Sequence, residues 1–140
     1  MIKTNSIETA KLLIKKSSPP IEVFSQDYNF NKKIAEYGKF NILIFNHTLS
    51  KSKLKKIESG INDYIARLMK KNNIQLGIEL GTIRKLTKEG KASFLVSLRE
   101  ILKLVKKHNI PIYFYGVRDK KNARDFLFSL GTSTHQTIYF

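Results

Sequence analysis

Residues 59–80 read SGINDYIARLMKKNNIQLGIEL, a helix-like pattern that runs within a few residues into a strand-like one. Ile61, Tyr64, Ile65, Leu68 and Met69 fall at i, i+3, i+4, i+7 and i+8, the spacing of one apolar helix face. Ser59 is placed to cap the start of this helix, and the Asn72–Asn73 pair suits its end. IQLGIEL (74–80) then reads as a strand. Gly77 and Gly81 bracket its second half, where close backbone packing is their expected role.

The same alternation extends in both directions. Upstream, Ile7 to Lys16 reads as a helix stopped by Pro19–Pro20, and IEVFS (21–25) as a short strand. Tyr28 to Tyr37 reads as a helix with Asp27 as N-cap and Gly38 at its C-terminal end. NILIF (41–45) is a continuous apolar run, as expected of a strand buried on both faces. Downstream, GTIRKLTKEGK (81–91) reads as a basic loop. A helix from about Ala92 to Lys107 then buries Phe94, Leu95, Leu98, Ile101, Leu102 and Val105. Pro111 opens the strand IYFYG (112–116), and VRDKKNAR (117–124) leads into a helix ending near Gly131. In the tail TSTHQTIYF, Ser133 and Gln136 stand at capping-box spacing, so one last helical turn is expected there. Strands alternating with helices imply a single α/β domain over 1–140, its parallel strands joined by crossover helices. Four strands are half of an eight-stranded barrel, so the expected architecture is TIM-barrel-like but partial or incomplete.

Charge dominates the composition. There are 26 Lys and Arg against 11 Asp and Glu, a formal net charge of +15 in 140 residues, with 41% hydrophobic residues to build a core. Small soluble domains ordinarily carry a net charge of magnitude about 2–8, so this excess points to an anionic partner, most simply nucleic acid. The chain has no cysteine, which excludes disulfides and thiolate zinc sites and fits an intracellular protein. With neither a membrane-length apolar run nor a signal-peptide core in the sequence, a cytoplasmic location is expected.

Catalytic patterns are missing. His47, His108 and His135 form no HxH or HExxH pair, and there is no DxD, GxGxxG, GxxxxGK[ST] or GxSxG. His108 suits the carbonyl end of a helix, and Glu79, near the carboxyl end of its strand, is expected to form an ion pair. Basic residues instead cluster in three segments. Lys51, Lys53, Lys55 and Lys56 lie in 46–58; Arg84, Lys85, Lys88 and Lys91 in 81–91; and Arg118, Lys120, Lys121 and Arg124 in 117–124. Each follows a strand, so all three belong at the carboxyl edge of the sheet, where α/β folds place binding sites. Together they would hold a phosphate backbone by shape and charge rather than by reading bases. Tyr113 and Tyr115 could add stacking, although their strand positions favour packing.

The opening stretch also resembles the signature segment of the archaeal ribonuclease P protein component 3 family. Gly60–Ile61–Asn62 matches that family's helix start, Ile65–Ala66–Arg67–Leu68 its Leu-Ala-Lys-Leu run, and Asn73–Ile74 with Gly77 its strand. ARDFLFSLGTS (123–133) matches its Arg-Asp-Leu…Leu-Gly segment, so the resemblance spans roughly residues 35–135. There are departures. Asp63 stands where the family has His, the chain is shorter than usual members, and Tyr115–Gly116–Val117 replaces a Ser-rich turn. A carboxylate would repel phosphate, so Asp63 is expected to have turned to protein contact or capping.

The resemblance implies an incomplete barrel and a non-catalytic, RNA-binding endonuclease subunit. Its expected partners are ribonuclease P RNA, protein component 2 and, through the complex, precursor tRNA. No cofactor is expected on the protein itself, and Mg2+ would act through the RNA. Two other classes fit the composition: a basic structural protein of another ribonucleoprotein such as the ribosome, or a degenerate metal phosphoesterase using His47 and Glu79.

Overall fold

The computed structural model describes residues 1–45, 60–132 and 135–140. In chain order the elements are α1 (Ile7–Lys16), β1 (Glu22–Phe24), α2 (Tyr28–Tyr37), β2 (Ile42–Ile44), α3 (Asp63–Lys71) and β3 (Gln75–Glu79). They continue with α4 (Leu80–Arg84), α5 (Lys88–Lys107), β4 (Ile112–Tyr115), α6 (Lys120–Ser129) and β5 (Ile138–Tyr139). The strands form one parallel sheet in the order β1-β2-β3-β4-β5, with Ile2 bridging to Val23 beyond β1. Sequential order with crossovers of one hand puts the helices on one face of the sheet. β1 and β5 do not meet, so the sheet stays open: an α/β, barrel-like wall rather than a closed barrel.

The two faces have different chemistry. Toward the helices, Leu43, Leu76, Ile78, Ile112 and Phe114 pack with Ile34, Ile65, Met69, Leu98, Ile101 and Leu127 into the main core. On the other face, Phe24, Ile42 and Ile44 form a small separate cluster covered by Tyr113 and Tyr115. Period-2 alternation produces this split, even in strands of three to five residues. Gly77 makes the second cluster possible. A β-carbon there would lie 2.8 Å from Ile42 Cγ2, 2.9 Å from Ile44 Cγ1 and 3.2 Å from Tyr115 Cε2.

Local signals set the helix ends. Asp27 caps α2 by accepting from Phe30 N–H at 2.8 Å, and Gly38 closes it in the left-handed conformation at φ 67°. Thr87 caps α5 and Asp119 caps α6. At α3 the cap is Asn62, whose side chain accepts from Ile65 N–H at 3.0 Å, rather than Ser59, which lies outside the described residues.

Three expectations are corrected. The turn expected at Ser133–Gln136 begins outside the described residues, and past it the tail adds strand β5: Ile112 N–H donates to Thr137 O at 2.9 Å and Gln136 Nε2 donates to Ile110 O. Among the described residues the sheet therefore has five strands rather than four. Residues 81–91 are not a loop: α4 occupies Leu80–Arg84, and α5 begins at Lys88, four residues before Ala92. Finally, the apolar face of α3 centres on Ile65, Ala66 and Met69, whereas Tyr64 is 42% exposed and its hydroxyl donates to Glu36 Oε1 at 3.3 Å.

Candidate nucleic-acid interface

A parallel sheet aims all its strand ends the same way, so the segments after β3 and β4 emerge side by side. That brings two of the three basic segments together. Arg84 from α4, Lys91 from α5 and Arg118 from the turn after β4 line one cavity of about 420 Å³. Its floor is apolar, with Leu95, Phe114, Ala123 and Phe126 beneath the charged rim. Phe114 and Phe126 stack at 6.4 Å between centroids and 4° between planes.

Around this rim, Lys85, Lys88, Lys120 and Lys121 are exposed. Lys88 opens α5 and Lys120–Lys121 open α6. The positive end of a helix dipole favours carboxylates, so lysines in a first turn work against the helix locally. Their effect is to add side-chain charge to two helix N-termini on one edge, which deepens the positive potential there. Arg124 stacks over the Phe140 ring at 5.4 Å. The cluster Lys51, Lys53, Lys55 and Lys56, together with His47, lies outside the described residues.

Asn31 carries no sequence signal beyond an amide inside a helix. Fully buried in α2, it accepts from Gln26 N–H at 2.7 Å and donates to Gly60 O at 2.8 Å. It thereby fixes the point where the chain returns after the first basic segment. A buried amide with both ends satisfied is costly to replace, since truncation strands its partners.

Asp63 has become a protein contact, as its charge suggested. Arg67 grips its Oδ2 through Nε at 2.9 Å and Nη2 at 2.8 Å. Lys107 Nζ reaches its Oδ1 at 2.9 Å and His108 Nε2 donates to the same oxygen at 2.8 Å. Hydrogen bonds from Lys107, His108 and Arg67 hold the carboxyl well below the usual carboxylate range. The cluster ties α3 to the last turn of α5, and it gives His108, the C-cap of α5, a carboxylate partner as well as a helix end.

Glu79 lies on the tyrosine-covered face, paired in register with Tyr115. Burial pushes the Tyr115 phenol up, and the negative charges of Glu22 and Glu79 push it further. Tyr113 and Tyr115 contact each other at 4.5 Å between ring centroids. Both pack on the Phe24, Ile42 and Ile44 cluster. Among the described residues no three His, Asp or Glu groups come together as a metal site. No helix among them is long and apolar enough to cross a membrane.

No family model matches the chain. Over 130 residues, 88% of its length, it is 23% identical to Ribonuclease P protein component 3 of Methanococcus maripaludis strain C7, covering 53% of that protein. With the strain C6 protein of the same name it shares 23% identity over 136 residues, 90% of this chain and 56% of the relative. The chain thus spans about half the length of the curated relatives it matches. Its fold matches a chain in the cryo-EM structure of archaeal ribonuclease P with mature tRNA, with a TM-score of 0.74 and 23% identity over 94% of this chain and 58% of that one. Across about nine-tenths of its length, this chain is similar in sequence to archaeal ribonuclease P protein component 3, and it has the fold of a chain of that ribonucleoprotein.

Proposed function

We propose that this chain is a non-catalytic, RNA-binding subunit of ribonuclease P that supports the catalytic RNA in removing the 5′ leader of precursor tRNA. One observation carries the reading beyond the resemblance: Arg84, Lys91 and Arg118, from two of the three basic segments, converge on one edge of the sheet. In a folded RNA, phosphates repel one another, and magnesium offsets that repulsion. Fixed cations along a protein edge do the same by displacing condensed counterions, so the compact catalytic fold needs less magnesium. In this reading Mg2+ acts through the RNA, protein component 2 is a partner, and the complex works in the cytoplasm.

The test is cleavage of a precursor tRNA by ribonuclease P RNA and the remaining protein subunits, with and without this chain, across magnesium concentration. Adding the chain should lower the magnesium optimum. Changing Lys55 and Lys56 to Ala, or Arg84, Lys91 and Arg118 to Ala, should raise it again. An optimum indifferent to the chain would remove the proposal. Co-purification with ribosomal RNA in place of ribonuclease P RNA would instead favour a structural protein of another ribonucleoprotein.

A further inference from the structure

The outer face of α5 carries a second basic concavity that the strand-end argument does not reach. It holds about 580 Å³ and is lined by Arg99, Lys103, Lys106 and Lys107 of α5 against Ser129, Leu130 and Gly131 at the end of α6. The cavity at the carboxyl edge is likewise walled by α5, through Lys91 and Leu95, and by α6, through Asn122, Ala123 and Phe126. Both therefore lie on the same seam between consecutive helices. Leu95 of the first is one turn from Arg99 of the second. At 100° per residue, Lys88, Lys91, Leu95, Arg99, Lys103 and Lys106 share an arc of about 120°, and the row from Lys88 to Lys106 runs about 27 Å.

We infer that this seam is one groove that seats a single strand of RNA, with an unstacked base in the apolar end over Phe126 and the backbone along Arg99, Lys103 and Lys106. The inference rests on the RNA-binding reading above and places part of the RNA contact on the helical layer, away from the strand ends. A base needs an apolar, partly aromatic slot, and every base has a π-face to offer it. The partly buried Phe126 ring, already stacked on Phe114, and Leu95 supply such a slot. An A-form duplex keeps its bases inside the stack and could use only the cations. An acidic protein could also use the cations, but it has no planar group for the slot unless it brings an aromatic residue.

Neighbouring charges leave the wall positive. Lys107 is taken by Asp63, and Lys103 has only an exposed contact to Glu100 at 3.6 Å, which is weak in water. Among the described residues no ion pair engages Arg99 or Lys106. Near the end of α6 the Phe126, Leu127 and Phe128 carbonyls accept from Leu130, Gly131 and Thr132 N–H groups and from the Ser129 hydroxyl, so these three do not face phosphate unpaired. Asp119, on the rim of the other end, accepts from Asn122 N–H at 3.1 Å.

Fluorescence anisotropy tests this, with the full chain, a labelled ten-nucleotide oligouridine and a ten-base-pair RNA duplex, between about 50 and 200 mM salt. The single strand should bind several-fold tighter than the duplex. R99A/K103A/K106A should weaken it tenfold or more and lower the slope of log K against log salt by about 2, three phosphates at about 0.7 each. Leu95→Arg separates groove from charge: it adds a cation but fills the apolar slot, so single-strand affinity should fall. Tighter binding by Leu95→Arg, equal binding of duplex and single strand, or an unchanged triple variant overturns the groove. Competition by polyglutamate as effective as by RNA assigns the surface to an acidic protein instead. If the unaltered chain binds neither RNA, the RNA-binding reading fails along with the groove. If it binds RNA and the triple variant binds equally well, the groove alone fails.

Discussion

Gly77 and Gly81 stand four residues apart, one in β3 and one in α4, and the same substitution should act on them with opposite sign. At Gly77 an alanine methyl would meet Ile42 Cγ2 at 2.8 Å and Ile44 Cγ1 at 2.9 Å, against about 3.5–4.0 Å for a relaxed carbon contact. Both isoleucines are β-branched and therefore stiff about χ1, so they cannot swing aside, and the Tyr115 ring closes the third side at 3.2 Å. Overpacking of this kind costs about 1–3 kcal/mol. Restricting the unfolded chain returns about 0.4–1 kcal/mol, leaving Gly77→Ala destabilised by roughly 1–2 kcal/mol. In a domain of this size that is a fall in Tm on the order of 4–8 °C. Gly81 is exposed in a helix and nothing lies within 4 Å of its would-be methyl, so Gly81→Ala should gain about 0.5–1 kcal/mol. Thermal melts followed by circular dichroism compare the pair directly. A rise in Tm for Gly77→Ala would refute the packing account of the tyrosine-covered face.

Three further outcomes follow from the charges and the core. Asp63 has a folded-state pKa below its unfolded value, so it stabilises at neutral pH, and that contribution is lost as pH falls below about 4. Acid unfolding of Asp63→Asn should therefore be shallower than that of the parent chain in a pH-dependent melt, and equal slopes would count against the cluster. Asp63→His would set an imidazole among Arg67, Lys107 and His108, so it should lower stability without raising RNA affinity; a gain in affinity would mean the position still faces RNA. Because burial and neighbouring carboxylates hold the Tyr115 phenol protonated, Tyr115→Phe should leave the 295 nm absorbance step up to about pH 11 unchanged, and a smaller step would contradict its burial.

The α/β class was legible because β-branched runs such as ILI (42–44) alternate with periodic helices such as α2, whose ends carry their own caps in Asp27 and Gly38. What escaped depends on distant partners. Ile138–Tyr139 is too short to announce a strand, and its pairing with β4 decides its state. Gly81 and Thr82 disfavour a helix locally, so α4 reads as a loop. The basic edge itself could be read from charge and strand order, and Arg84, Lys91 and Arg118 do converge. Arg124 carries the same charge but is drawn to Phe140, a contact between the chain's tail and α6 that no local pattern encodes. The stripe at Arg99, Lys103 and Lys106 is indistinguishable in sequence from an ordinary solvated helix face. Only the position of α6 beside it makes a groove.

The proposed function requires the carboxyl edge of the sheet to face RNA. Lysine acetylation read by mass spectrometry, on the full chain alone and bound to ribonuclease P RNA, measures this. Lys85, Lys88, Lys91, Lys120 and Lys121 should lose reactivity on binding, while Lys15 and Lys16, in the last turn of α1, should keep theirs. Protection of Lys15 and Lys16 with the edge lysines still reactive would contradict the account.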